Sequence, residues 1–186
     1  IVQSQKNQHR IKAQLDPYNP KGSTRDVQFH TSMQDRWETN GPPPKNHVNL
    51  VVFNHDWERE FCRCAEAHPQ VVAYTKNHNL GLEVPYLFES SSLRYQPDFI
   101  VKVNDGHGPN DLLHMIVEIN NYHGKQAKEK KAAIENLWIP GVNYLEAFGR
   151  WTFVEFQMDF LETNAMTEDF NVMIKDAMNA SEKVSL

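Results

Sequence analysis

Two acidic residues stand where acids are energetically expensive. Glu118 comes directly after the apolar run Met115-Ile116-Val117, and Asp98 follows Pro97 at the start of another apolar stretch. A carboxylate at the end of a buried strand costs free energy unless it is paired or holds a cation. Side chains alternate along a strand, so Glu118 and Asn120 share one face and Ile119 takes the other. If the strand carrying Asp98 lies beside this one, the two carboxylates converge. Like charges a few ångströms apart are unfavourable unless a cation bridges them. A hard divalent ion with oxygen ligands, Mg²⁺ first, is the natural bridge. The plainer alternatives are a turn-capping Asp98 and a Glu118 paired with a lysine of the following helix. A Glu-x-Lys triplet would add an ammonium here, but the chain reads Glu118-Ile119-Asn120.

Other reactive residue types give weaker patterns. Cys62-x-Cys64 followed by His68 is not a zinc spacing, and two residues apart on a helix do not face each other, so free thiols are expected. The nine histidines are scattered, without an H-E-x-x-H pair. There is no G-x-x-x-x-G-K-[ST], hence no P-loop. Between His123 and Lys131 four lysines (Lys125, Lys128, Lys130, Lys131) stand against one glutamate. Such a run either touches phosphates or is a solvated helix face.

The elements that must position the two acids follow from periodicity. Residues 1–46 are polar, end in Gly41-Pro42-Pro43-Pro44, and read as an arm or linker, with a possible docking strand at 27–31. The body, residues 47–180, opens with a strand over 48–53. Asn54 can cap a helix over 56–67 whose buried face is Trp57, Phe61, Cys64 and Ala65. A short strand is expected over 71–74. Strands over 80–87 and 94–103, joined at 89–92, read as a hairpin, so Asp98 falls in its second strand. A glycine-rich loop over 104–111 leads to a strand over 112–120. A helix over 124–138 ends at Pro140-Gly141, a strand covers 151–158, and a last helix starts at Thr163 or Asn164. Met166, Phe170, Met173, Ile174, Ala177 and Met178 give that helix an apolar stripe. A tail from Ser181 is expected to fray. The order points to an α/β domain, a mixed sheet with helices on its faces.

Composition supports one folded domain plus an arm. The chain has 186 residues, 40% hydrophobic and 23% charged, with 19 basic against 24 acidic residues and a net charge of −5. That disfavours a globally basic nucleic-acid binder but not a local basic patch. No apolar run approaches the roughly 18 residues of a membrane span, and no signal-peptide pattern is visible. The opening Ile1 suggests a piece of something longer.

A set of segments carries a more specific signal. Asp56-Trp57-Glu58, Leu80-Gly81-Leu82-Glu83-Val84-Pro85-Tyr86, Arg94-Tyr95-Gln96-Pro97-Asp98-Phe99-Ile100-Val101, Ile116-Val117-Glu118-Ile119, Trp138-Ile139-Pro140-Gly141-Val142-Asn143 and Phe148-Gly149-Arg150-Trp151, with residues 73–77, occur in order over residues 47–156. They resemble the C-terminal part of type III restriction endonuclease Res subunits. The resemblance implies a PD-(D/E)xK nuclease domain with a restriction-endonuclease-like core, a four-stranded mixed sheet flanked by helices. It implies a Mg²⁺-dependent DNA endonuclease, with Mn²⁺ able to substitute. It further implies a helicase-like ATPase region and a modification subunit as partners, and a bacterial or archaeal cytoplasmic restriction system acting in phage defence.

Residue by residue, Asp98 and Glu118 match the family's metal-binding acids, and Glu58 and Glu83 its accessory acids. Lys125, Lys128 and Arg150 are the expected DNA contacts. Asn120 stands at the family lysine, within Glu118-Ile119-Asn120-Asn121-Tyr122-His123 where the family reads Glu-x-Lys-Gly-Tyr-Arg. An attenuated nuclease is expected, with Lys125 a candidate to supply the missing charge. The rival is a catalytically decayed nuclease-fold module kept for DNA binding or docking.

Overall fold

Four apolar runs, two of them joined by a helical crossover, assemble into the central sheet. The structure is a computed structural model, and it describes residues 2–3, 12–13, 22–38, 44–120, 124–157 and 163–184. In chain order the principal elements are β1 (Arg36–Glu38), β2 (Leu50–Val52), α1 (Asp56–Ala67), β3 (Val71–Lys76), β4 (Val84–Phe88), β5 (Ser91–Tyr95), β6 (Phe99–Val103), β7 (Leu113–Asn120), α2 (Lys125–Ala133), α3 (Ile139–Tyr144), β8 (Arg150–Gln157) and α4 (Thr163–Val184). The central sheet has the order β8-β7-β6-β3. Strand β6 is antiparallel to both neighbours, and β7 is parallel to β8. A parallel pair needs a long crossover, which α2 and α3 supply. The chain is thus mixed α/β with a four-stranded mixed sheet and helices.

All five residues of β6 are buried, as a strand covered on both faces must be. Phe61 of α1 meets Phe99 of β6 with ring centroids 4.6 Å apart and Phe170 of α4 at 5.3 Å. Phe170, Met173, Ile174 and Ala177 of the expected stripe are buried, and Met178 packs against the core. The Met166 side chain lies outside the described residues. Each edge strand of this sheet has a local backbone partner outside the sheet. Asn143 of α3 brackets the backbone of Trp151 on β8, accepting its N–H at 2.7 Å and donating to its carbonyl at 2.9 Å. Residues 45–47 bond to Tyr74 on β3 through both its N–H and its carbonyl.

Several expectations are corrected. Residues 94–103 are not one strand. The ladder stops at Tyr95, and Gln96-Pro97-Asp98 separates β5 from β6 because Pro97 has no N–H to continue it. The β4–β5 hairpin is its own two-stranded sheet, turned by Glu89 and Ser90, both with positive φ (47° and 66°). Asn54 does not cap α1. The cap position is His55, with no side-chain bond, and Glu58 reaches back to accept the Asn54 N–H at 2.8 Å. Pro140-Gly141 does not end the second helix. A π-turn over Ile134–Trp138 hands the chain into α3, where Pro140 occupies the first turn and its missing donor is harmless. Helix α4 continues to Val184 rather than fraying from Ser181.

Part of the polar arm is docked. Val27 is buried in the core, Thr24 Oγ1 lies 3.1 Å from His47 Nδ1, and β1 pairs with β2. Of the strand expected over 27–31, only Gln28–Phe29 forms. Met158 of the expected last strand lies outside the described residues.

Candidate functional site

The break at Pro97 delivers Asp98 to the end of β7. The β6–β7 register pairs Phe99 with Val117, so one step further Asp98 faces Glu118. Here the ladder is replaced by a crossed pair of bonds. Asp98 Oδ2 accepts the Ile119 N–H at 2.7 Å, and Glu118 accepts from the backbone of Asp98. The Asp98 carbonyl accepts the Asn77 N–H at 2.8 Å, tying the break to the end of β3. Both carboxyls are only partly exposed, and Glu118 Oε2 is buried without a hydrogen-bond partner.

The electrostatics follow from this placement. Burial raises the Glu118 carboxyl to about 8, and the charge of Asp98 adds to the rise. Burial also raises Asp98, to about 6; the Ile119 N–H opposes this, the charge of Glu58 assists, and Lys76 and Lys130 oppose. The pair titrates as a unit and keeps about one proton near pH 7. Tyr95, buried at the end of β5, has its phenol pushed far up by burial and by the neighbouring Glu118 and Asp98.

A cavity of about 250 Å³ opens beside Asp98, lined among others by Asn54, Lys76, Asn77, His78 and Gln96. Lys76 Nζ donates to Glu58 Oε2 at 2.7 Å and to the Val52 carbonyl at 2.9 Å. Glu58, expected as an accessory metal acid, is therefore held in a buried ion pair. Its charge is felt at Asp98 without the side chain joining a ligand group. Among the described residues no three His, Cys, Asp or Glu side chains are arranged to hold a metal ion.

No protein-family model matches the sequence, and no curated protein or solved structure matches it either. The site's chemistry therefore rests on its own geometry.

The remaining sequence-derived candidates lie elsewhere. Glu83 takes Arg94 at 3.4 Å and Gln96 at 3.3 Å beside the hairpin. Lys125 and Lys128 line a different cavity, with Glu89, Ser90 and Glu129 against the hairpin turn. Arg150 sits where β8 starts, opposite Leu113, at the far end of β7 from Glu118. Its guanidinium donates to both oxygens of Asp105 at 2.7 and 2.9 Å, and to the Asp111 side chain and carbonyl at 2.9 and 2.8 Å. These bonds engage it as a clamp on the β6–β7 loop. Asn120 is the last residue of β7, opposite Gln157, while its side chain and residues 121–123 lie outside the described residues. Cys62 and Cys64 are free and buried. Among the described residues no helix is long and apolar enough to cross a membrane.

Two charged residues near the pair escaped the sequence reading, Lys76 and Lys130. Lys76 closes an apolar strand just as Glu118 does, so the rule that singled out Glu118 applies to it equally. Lys130 was one of four lysines in a run, and only the phase of α2 on the hairpin distinguishes it.

Proposed function

We propose that this chain is a restriction-endonuclease-like, Mg²⁺-dependent DNA endonuclease domain that cleaves phosphodiester bonds slowly through Asp98 and Glu118. One observation carries the reading. Two carboxyls on adjoining strand ends share one environment, both held above the ordinary acid range, with Glu118 Oε2 buried and unpartnered. A cation is what such a pair lacks. Mg²⁺ usually takes one or two carboxylates and completes its shell with waters and substrate phosphates, so two acids suffice. The four-stranded mixed sheet with helices supports the reading at that coarser level.

Asp98 and Glu118 would hold the divalent ion, which would supply Lewis acidity there. The chain's own residues do the rest. The Ile119 N–H fixes the Asp98 carboxylate, the backbone of Asp98 fixes Glu118, and the cavity beside Asp98 leaves room for the sugar-phosphate chain. At position 120 an amide replaces an ammonium. A hydrogen bond to a charged group contributes roughly 1.5–3 kcal/mol and a neutral one about 0.5–1.5. Loss of one charge-stabilising donor typically costs about 10²–10³ in rate, hence slow cleavage. On this reading the partner is DNA, with the helicase-like region and modification subunit elsewhere in a cytoplasmic restriction assembly.

A decayed module is the second reading, favoured by the lack of a third acid among the described residues. Nicking of supercoiled DNA in Mg²⁺ or Mn²⁺ separates the two. Asp98→Ala should abolish cleavage, and Asn120→Lys should raise it about tenfold or more. Cleavage by Asp98→Ala at the parent rate contradicts the nuclease reading, and no gain from Asn120→Lys favours the decayed one.

A further inference from the structure

The nuclease reading leaves one charge unassigned, because Asn120 cannot offset the negative charge that grows on phosphate during attack. Five lysines on the elements around the pair can be compared, and two of them are held in ion pairs. Lys76 is bonded to Glu58 and Val52, and Lys131 to Glu155 at 2.9 Å. Lys125 and Lys128 face the cavity at the hairpin turn. Lys130 is different. Its Nζ lies 5.2 Å from the centroid of the Tyr95 ring, and among the described residues it makes no ion pair.

The helix phase fixes this placement. Gln126, four residues earlier and so on the same helix face as Lys130, donates to the Tyr86 hydroxyl at 2.7 Å. Tyr86 packs edge-on against Tyr95, with centroids 6.1 Å apart. That chain of contacts pins the Gln126–Lys130 face of α2 over Tyr95, which precedes the Pro97 break by two residues. Among the described residues Lys130 is the lysine whose charge is felt at both Asp98 and Glu118.

We propose that Lys130 is a catalytic residue, its ammonium contacting the scissile phosphate in the role left empty by Asn120. The proposal rests on the nuclease reading. In the reaction, water adds its oxygen to phosphorus, the P–O ester bond breaks, and the departing oxygen ends as a hydroxyl with a proton from that water. Lys130 stays protonated throughout and offsets the added negative charge. The aromatic ring holds the ammonium beside the pair without spending it on a carboxylate, so its donors remain for phosphate.

The test uses Lys130→Met and Lys130→Arg with two readouts. Cleavage of supercoiled DNA in Mg²⁺ should fall about 10²-fold in Lys130→Met and recover largely in Lys130→Arg. Calorimetric Mn²⁺ binding without DNA should tighten by about threefold in Lys130→Met, because a repelling cation has been removed. Cleavage by Lys130→Met at the parent rate overturns the proposal. So does lost cleavage accompanied by weakened Mn²⁺ binding, which marks a structural role. If the parent protein cleaves nothing, or Asp98→Ala cleaves like the parent, the nuclease reading fails first and the proposal with it.

Discussion

The two ends of β7 handle buried charge in opposite ways. At its start, Asp105 is buried, yet the Arg150 guanidinium outweighs the cost of burial and holds its carboxyl below the ordinary range, with His107 assisting at 3.2 Å. At its end, Asp98 and Glu118 are half-buried and face each other, and burial drives both carboxyls up. The first end is a closed account of charges and reads as stability. Among the described residues the second has no positive partner within bonding distance, and it reads as a site. Perturbed acids cluster where function is built, and the contrast along one strand says which end to choose.

The largest effect should come from the satisfied end. Arg150→Met strands the Asp105 carboxylate, whose side chain is only 2% exposed. Removing one partner of such a pair typically costs about 3–5 kcal/mol, read by urea denaturation. Mn²⁺ binding by the folded variant should be unchanged, and a loss of binding there would blur the division between the two ends.

A smaller effect sharpens the same contrast through pH. The raised Glu118 carboxyl holds its proton more tightly in the folded chain. Its contribution to stability is present at low pH and lost as pH rises towards about 8. His114, at the other end of β7, behaves oppositely. Burial first, then the charge of Lys102, lowers its imidazole to about 4 from 6.5, so its contribution is present above 6.5 and lost as pH falls. Between pH 6.5 and 8 the Glu118 contribution is still being lost while that of His114 is already complete, so stability should decline with rising pH. Glu118→Gln should flatten that decline and gain at least about 1 kcal/mol at pH 8, the equivalent of roughly one pKa unit. Thermal melts across this range check it, and an undiminished decline in the variant breaks the comparison.

Much of the architecture was legible because its causes are local. Apolar runs marked the sheet strands, Phe61 and Phe170 marked the faces of α1 and α4, and Asp98 and Glu118 were exposed by acids bordering apolar sequence. What was hidden depends on distant partners. Arg150 reads as a free basic residue until Asp105, 45 residues away, and Asp111, 39 away, close around it. Lys130 cannot be told from Lys125 without the Gln126–Tyr86 bond, which spans 40 residues. The split at Pro97 was readable from its missing N–H, yet the apolar run that follows it suggested one long strand. Trp37 was submerged in a polar stretch, though it packs against the core.

Calorimetric titration of Mn²⁺ into the parent protein, Asp98→Ala and Glu118→Ala at pH 7 tests the central claim most directly. The account predicts one ion per chain for the parent, with about one proton released from the acid pair, and no binding at that site in either variant. Parent-like binding in both variants, or no binding by the parent, would contradict it.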